Sequence, residues 1–188
     1  MKKILYPVCT AILIAVMLVS PAGAGGYKLS SAFTLGSLID NGVATGLGRT
    51  DWVIELLAEG RAAVVCVNHG SNPVPGQSSP RIEGKGTQDI PSSQVTKNGK
   101  AFFTVRAVPD EELNPVIAWD AGGCPNSNWT ALVDFVYWDH AVVSLKDPLT
   151  LETVATFKYV CVTTRTGPRG DPNSTFDDGL VSCKEYFN

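Results

Sequence analysis

Beyond its first two dozen residues the chain is built of short runs of β-branched and aromatic residues, each closed by glycine, proline, asparagine or aspartate. Such runs suit strands, whose half-buried pleated surface favours those side chains. "AAVVCVN" at 62–68 is apolar throughout and too short for a helix, so it reads as a strand buried on both faces. "WTALVDFVYW" at 129–138, "AVVSL" at 141–145 and "TVATFKYVCVTT" at 153–164 extend the series, with Asp147-Pro148 as a break. "PVIAW" at 115–119 adds a short piece, and "LVSCKEYF" at 180–187 closes the chain. A loose alternation from Tyr27 to Leu38 gives a first strand, followed by turn chemistry at Asp40-Asn41-Gly42 and Gly46-Leu47-Gly48.

Two stretches require a choice. In "TDWVIELLAEG" at 50–60, Asp51, Glu55 and Glu59 recur every fourth residue, as on one face of a helix stopped by Gly60. Like charges at that spacing repel, and Trp52, Ile54, Leu56 and Ala58 alternate, which favours a strand. Residues 69–93 hold four prolines and four glycines without apolar periodicity and read as a long surface excursion. Next, "QVTKNGKAFFTV" at 94–105 places Asn98-Gly99 where a tight two-residue hairpin takes positive φ at both positions, with Pro91 marking the first arm as an edge. About eight to ten short strands without intervening helices predict an all-β fold, an antiparallel β-sandwich of immunoglobulin-like or jelly-roll-like type. No internal repeat is visible.

Lys2 and Lys3, an apolar run from Ile4 to Val19 and Ser-Pro-Ala-Gly-Ala24 have the layout of a secretory signal peptide, residues 1–24. The apolar run is interrupted by Pro7 and shorter than the ~20 residues that a bilayer core needs, so no stable membrane insertion is expected after cleavage. Residues 25–188 then form a single domain, of a size that buries about 70% of its unfolded surface. Losing Lys2 and Lys3 leaves 13 basic against 18 acidic side chains, taking the formal net charge from -3 to -5. That balance argues against nucleic acid or an anionic membrane as partner, because both require a basic stripe.

Cys9 leaves with the signal, and Cys66, Cys124, Cys161 and Cys183 remain. An even number in an exported chain reads as two disulfides with three connectivities open. The 22-residue spacing of Cys161 and Cys183 around a Gly-, Pro- and Asp-rich loop fits a local staple, which would leave Cys66 with Cys124. None of the spacings is the close C-x-x-C of zinc or thiol redox chemistry.

A strand ending in Cys66, with Asn68, Gly70 and Asn72 following at every second position and then Pro75-Gly76-Gln77, precedes the Asn-Gly hairpin and Cys124-Pro125-Asn126 with Trp129. Across residues 50–165 this pattern resembles a group of small exported bacterial proteins without an assigned function. The resemblance implies a shared fold and no catalytic residues.

Within "CVNHGSNPVPGQ", His69 would need a nucleophile and an acid beside it, and the chain has no G-x-S-x-G elbow. Asn68 and Asn72 suit Asx-turns, so His69 reads as an exposed loop residue and the segment as one side of a loop-to-loop clasp. Asp139-His140 reads as a turn between two strands, since neighbours on an extended strand point to opposite faces. Asp171, Asn173, Thr175, Asp177 and Asp178 offer calcium-type oxygen ligands but fail the EF-hand template at Phe176 and Ser182. No other cofactor is indicated. Asn128-Trp-Thr130 and Asn173-Ser-Thr175 fit the N-glycosylation pattern.

The expectation is a secreted, noncatalytic β-domain that binds a ligand or forms part of a surface or matrix. An extracellular glycan is the candidate partner, with Trp119, Trp129, Asn68 and Asn126 as candidate contacts and Trp52 and Trp138 as further members of an aromatic platform. One alternative is a secreted glycan hydrolase using two of Glu55, Asp120, Asp134 and Asp139, for which carboxylate separation and a raised pKa on one member are the criteria. Another is an assembly subunit that donates the strand of residues 25–38.

Overall fold

Trp52, Ile54, Leu56 and Ala58 are all buried, so the alternation seen in 50–60 is that of a strand. The computed structural model describes residues 26–34, 37–70, 72–109, 115–167 and 179–186. These form β1 (Lys28–Thr34), β2 (Leu38–Thr45), β3 (Trp52–Val67), β4 (Pro73–Pro75), β5 (Arg81–Ile90), β6 (Lys100–Pro109), β7 (Val116–Ile117), β8 (Thr130–Lys146), β9 (Thr153–Arg165) and β10 (Gly179–Glu185). One 3-10 turn, Ser92–Gln94, separates β5 from β6. All pairings are antiparallel, in the order β1-β2-β6-β5-β3-β8-β9-β10, with β4 beside β3 and β7 beside β8.

The all-β antiparallel expectation holds. Its two facing layers are opposite walls of one sheet curled nearly into a barrel, so β1 and β10 approach each other. Leu38 from β2, Val105 from β6, Ile82 from β5, Ile54 and Leu56 from β3, and Val143 and Leu145 from β8 fill the interior at 2% exposure or less. Burying each such side chain stabilises the fold by about 1.5–3 kcal/mol relative to leaving it in water.

β3 and β8 are longer than their neighbours. β5 accompanies β3 from Trp52 to Arg61, and β9 accompanies β8 from His140 to Lys146. Beyond those points β3 and β8 continue together as an arm, flanked by β4 and β7. The Cys66–Cys124 disulfide ties this arm to the turn that follows β7, and Cys161–Cys183 joins directly opposed positions of β9 and β10. These are the two pairs that the spacing favours. Disulfides of this kind are typical of extracellular and other oxidising compartments. Among the described residues no helix is long and apolar enough to cross a membrane.

Several local expectations are corrected. Residues 69–93 contain β4 and the ten-residue β5. β5 shows no apolar periodicity because glycine occupies inner positions: a Cβ on Gly84 would lie 3.0 Å from the Trp138 ring, and one on Gly86 would lie 1.8 Å from the Arg106 carbonyl oxygen. Asp40-Asn41-Gly42 lies inside β2, with Gly42 beneath the Phe103 ring. The Asn98-Gly99 turn forms with positive φ at Gly99 alone, and its first arm is the 3-10 turn after Pro91. Asp139-His140 sits within β8, because 129–138 and 141–145 belong to one continuous strand.

A Cβ on Gly60 would lie 2.4 Å from the Tyr137 carbonyl oxygen, whereas at Gly48 the nearest atom is 3.9 Å away. Gly60→Ala is therefore expected to lower unfolding stability by about 1–3 kcal/mol in urea titrations, as overpacking does. Gly48→Ala should stay within about 0.5 kcal/mol. Equal midpoints for the two variants would contradict this packing.

Candidate functional site: a polar groove at a β-bulge

The register of β3 on β8 slips twice. Glu59 faces His140 and Gly60 faces Trp138, which leaves Asp139 without an opposite residue. Ala63 then faces Phe135 and Val64 faces Val133, which leaves Asp134 in the same position. Bulges of this kind kink the strand and redirect a side chain. Each spare aspartate meets an arginine. Arg61 donates from Nε to Asp139 Oδ2 at 3.0 Å and from Nη2 to Oδ1 at 3.2 Å, and Arg165 donates from Nη1 to Asp134 Oδ2 at 2.5 Å.

The two pairs differ in surroundings. Side-chain exposure is 63% and 34% for Arg61 and Asp139, but 5% and 10% for Arg165 and Asp134. Arg165 also covers the Phe135 ring at 5.4 Å, so this pair seals an apolar side chain. The Arg61–Asp139 pair is open to solvent and to ligands.

Two depressions of about 350 and 340 Å³ meet at that open pair, sharing Arg61, Ser79 and Asp139. One continues over Tyr137, Val162 and Thr163, and the other over Glu59, Arg81 and His140. Arg61 stands directly across from Arg81, and Glu59 across from Glu83. Such like-charge neighbours are unfavourable in a sheet. The Arg81–Glu59 ion pair and a 4.0 Å approach of Arg81 Nε to Glu83 offset them. The groove thus offers guanidinium forks, carboxylate oxygens, a serine hydroxyl and a phenol, a set that can donate and accept hydrogen bonds along one polar ligand, while the Thr163 hydroxyl is held by the Trp138 backbone.

The sequence-derived candidates fall elsewhere. Asn68 Oδ1 accepts from the amides of Gly70 at 2.9 Å and Asn72 at 3.3 Å, and Asn126 Oδ1 accepts from the Asn128 amide at 3.0 Å. Both asparagines therefore shape their own loops. Those loops form the expected clasp: besides the disulfide, the Gly76 amide donates to the Val64 carbonyl at 2.8 Å, and the amides of Gln77 and Ser78 approach the carbonyls of Gly123 and Gly122 at 3.4 Å. His69 is exposed, Trp119 is 39% exposed at the turn after β7, and Trp129 is half-buried. Trp138 is fully buried, and Trp52 packs edge-on to Tyr27 at 5.7 Å, so neither joins an exposed platform.

The four carboxylates named for hydrolysis are separately engaged. Glu55 is clamped by Lys85 Nζ at 3.0 Å and Lys146 Nζ at 2.6 Å. Burial raises its pKa, but the two lysines together outweigh that and hold it below the ordinary value. Asp120 accepts from the Ala121 amide at 3.0 Å, and Asp134 and Asp139 are held by their arginines. The calcium candidates Asp171, Asn173, Thr175, Asp177 and Asp178 lie outside the described residues. Among the described residues no group of three or more His, Cys, Asp or Glu side chains is arranged to hold a metal.

No protein-family model, curated protein or solved structure matches this chain.

The contrast between the bulges is measurable. Asp134→Ala, which strands the buried Arg165 charge, should destabilise by about 3 kcal/mol in urea titrations. Asp139→Ala should leave the unfolding midpoint nearly unchanged. A larger loss for Asp139→Ala than for Asp134→Ala would reverse the two roles.

Proposed function

We propose that this chain is an exported, noncatalytic binding domain that recognises an extracellular glycan in the groove at the Asp139 bulge, as part of a cell surface or matrix. The observation that carries the reading is the exposed, bidentate Arg61–Asp139 pair, set between two depressions that share it with Ser79. A planar fork and a carboxylate held in fixed register can each address neighbouring sugar hydroxyls, and Tyr137 extends the same array. Val162 supplies an apolar flank for a sugar ring.

The noncatalytic part rests on the carboxylates. Glycosidic cleavage by an acid pair calls for a member with a raised pKa near a reacting bond. Glu55 is shifted the opposite way by its lysines, and Asp139 serves as the hydrogen-bond partner of Arg61. Two disulfides and the leader-like N-terminal segment support export.

The test is titration of the purified chain against a panel of neutral and acidic oligosaccharides by calorimetry. At least one class should bind. Arg61→Ala should weaken that binding at least tenfold, about 1.4 kcal/mol, without moving the melting temperature, and no new reducing ends should appear. Absence of binding across the panel, or an Arg61→Ala variant that binds as well as the parent, would overturn the assignment.

A further inference from the structure

The path of the sheet ends at β1 on one side and β10 on the other, and among the described residues no backbone ladder joins these ends. Side chains bridge the seam instead. Tyr159 on β9 donates its phenolic hydrogen to Ser31 Oγ on β1 at 3.2 Å, and Ser31 donates to Asp40 Oδ2 on β2 at 2.9 Å. Phe33 packs edge-on to the Tyr159 ring at 5.0 Å. Asp40 is 0% exposed, and its Oδ1 has no hydrogen-bond partner among the described residues.

We propose that this seam is a pH-sensitive joint, held shut by neutral Asp40 and loosened when that carboxyl ionises. In the closed barrel an ionised Asp40 would be a desolvated charge with one oxygen unsatisfied, a costly arrangement. Parting β1 from the β9–β10 wall would let water reach it. The groups that bear on Asp40 do not supply a counter-charge: Val105 faces it from β6, and β1 presents Phe33, the Ser31 hydroxyl and the Ala32 amide. β9 presents Tyr159, whose pKa is pushed up to about 12, mainly by burial, with Glu185 on β10 and Asp40 adding to the rise.

Burial, opposed by the Ser31 hydrogen bond and by the nearby Ala32 amide, raises the Asp40 pKa to about 6. With the seam open, the hydrated carboxyl returns to the ordinary value of about 4. As pH rises from about 4 to about 6, the open form gives up its proton while the closed form still holds one. Closure therefore weakens across that window, and the loss is complete above it. The ratio of opening constants at the two extremes is on the order of a hundredfold, set by a difference of about two pKa units.

Hydroxyl-radical footprinting of the full chain, normalised to intrinsic side-chain reactivity at each pH, reads the burial of the seam side chains directly. Between pH 4 and 7.5, modification of Phe33 and Tyr159 should increase severalfold, while that of Leu56 in β3 and of Trp138 and Leu145 in β8 holds. Asp40→Asn should abolish the dependence. If that variant does not fold, Ser31→Ala serves: removing a hydrogen bond that lowers the Asp40 pKa should move the transition to higher pH. Protection that is independent of pH, a change of equal size in β3 and β8, an Asp40→Asn variant that still follows pH, or an unmoved Ser31→Ala transition would each overturn the proposal.

Discussion

The antiparallel pairing of β3 with β8 runs from Val53 opposite Lys146 to Val67 opposite Thr130, longer than either strand's pairing with any other neighbour. It forms a wall of the barrel at one end and the core of the disulfide-tied arm at the other. Strict alternation along β8 from Leu145, Val143 and Ala141 would put Asp139 inside the barrel. The first bulge skips it and turns Trp138 and Val136 inward instead. Continued alternation would next bury Asp134, and the second bulge skips that too, bringing Val133 and Ala131 to the inner face. Each irregularity falls where a carboxylate would otherwise enter the core at a cost of several kcal/mol.

The same geometry links stability to the groove. Residue skipping leaves the two aspartates on the outer side, where arginines from β3 and β9 reach them. The sheet makes one of these pairs a lid over Phe135 and leaves the other beside Ser79 and Tyr137. Asp40 is the exception to this exclusion. It points inward at the seam, where the sheet ends and side-chain hydrogen bonds replace a ladder.

Much of the fold was legible because apolar alternation reports directly on burial. Trp52, Ile54, Leu56 and Ala58 showed a strand through their period, and cysteine spacing favoured the staples that form. β5 escaped because its inner face is partly glycine, chosen for the space left by Trp138 and Arg106 on other strands. Asp139-His140 looked like a turn because two polar residues interrupt an apolar run, a pattern that a bulge also produces. Asn68 was read both as loop-shaping and as a ligand contact, and the first role occupies its side-chain oxygen; Asn126, named only as a contact, shapes its loop in the same way. The groove was invisible for a different reason. Arg61 and Asp139 are 78 residues apart and meet only through cross-strand register, which no local pattern encodes.

Register is also what a solution experiment reads most directly. Cross-strand proton–proton contacts between β3 and β8, measured by nuclear Overhauser effects on isotope-labelled protein, should pair Glu59 with His140 and Gly60 with Trp138, passing over Asp139. An unbroken register that sets Gly60 opposite Asp139 would bury that carboxylate, close the groove and contradict the account at its root.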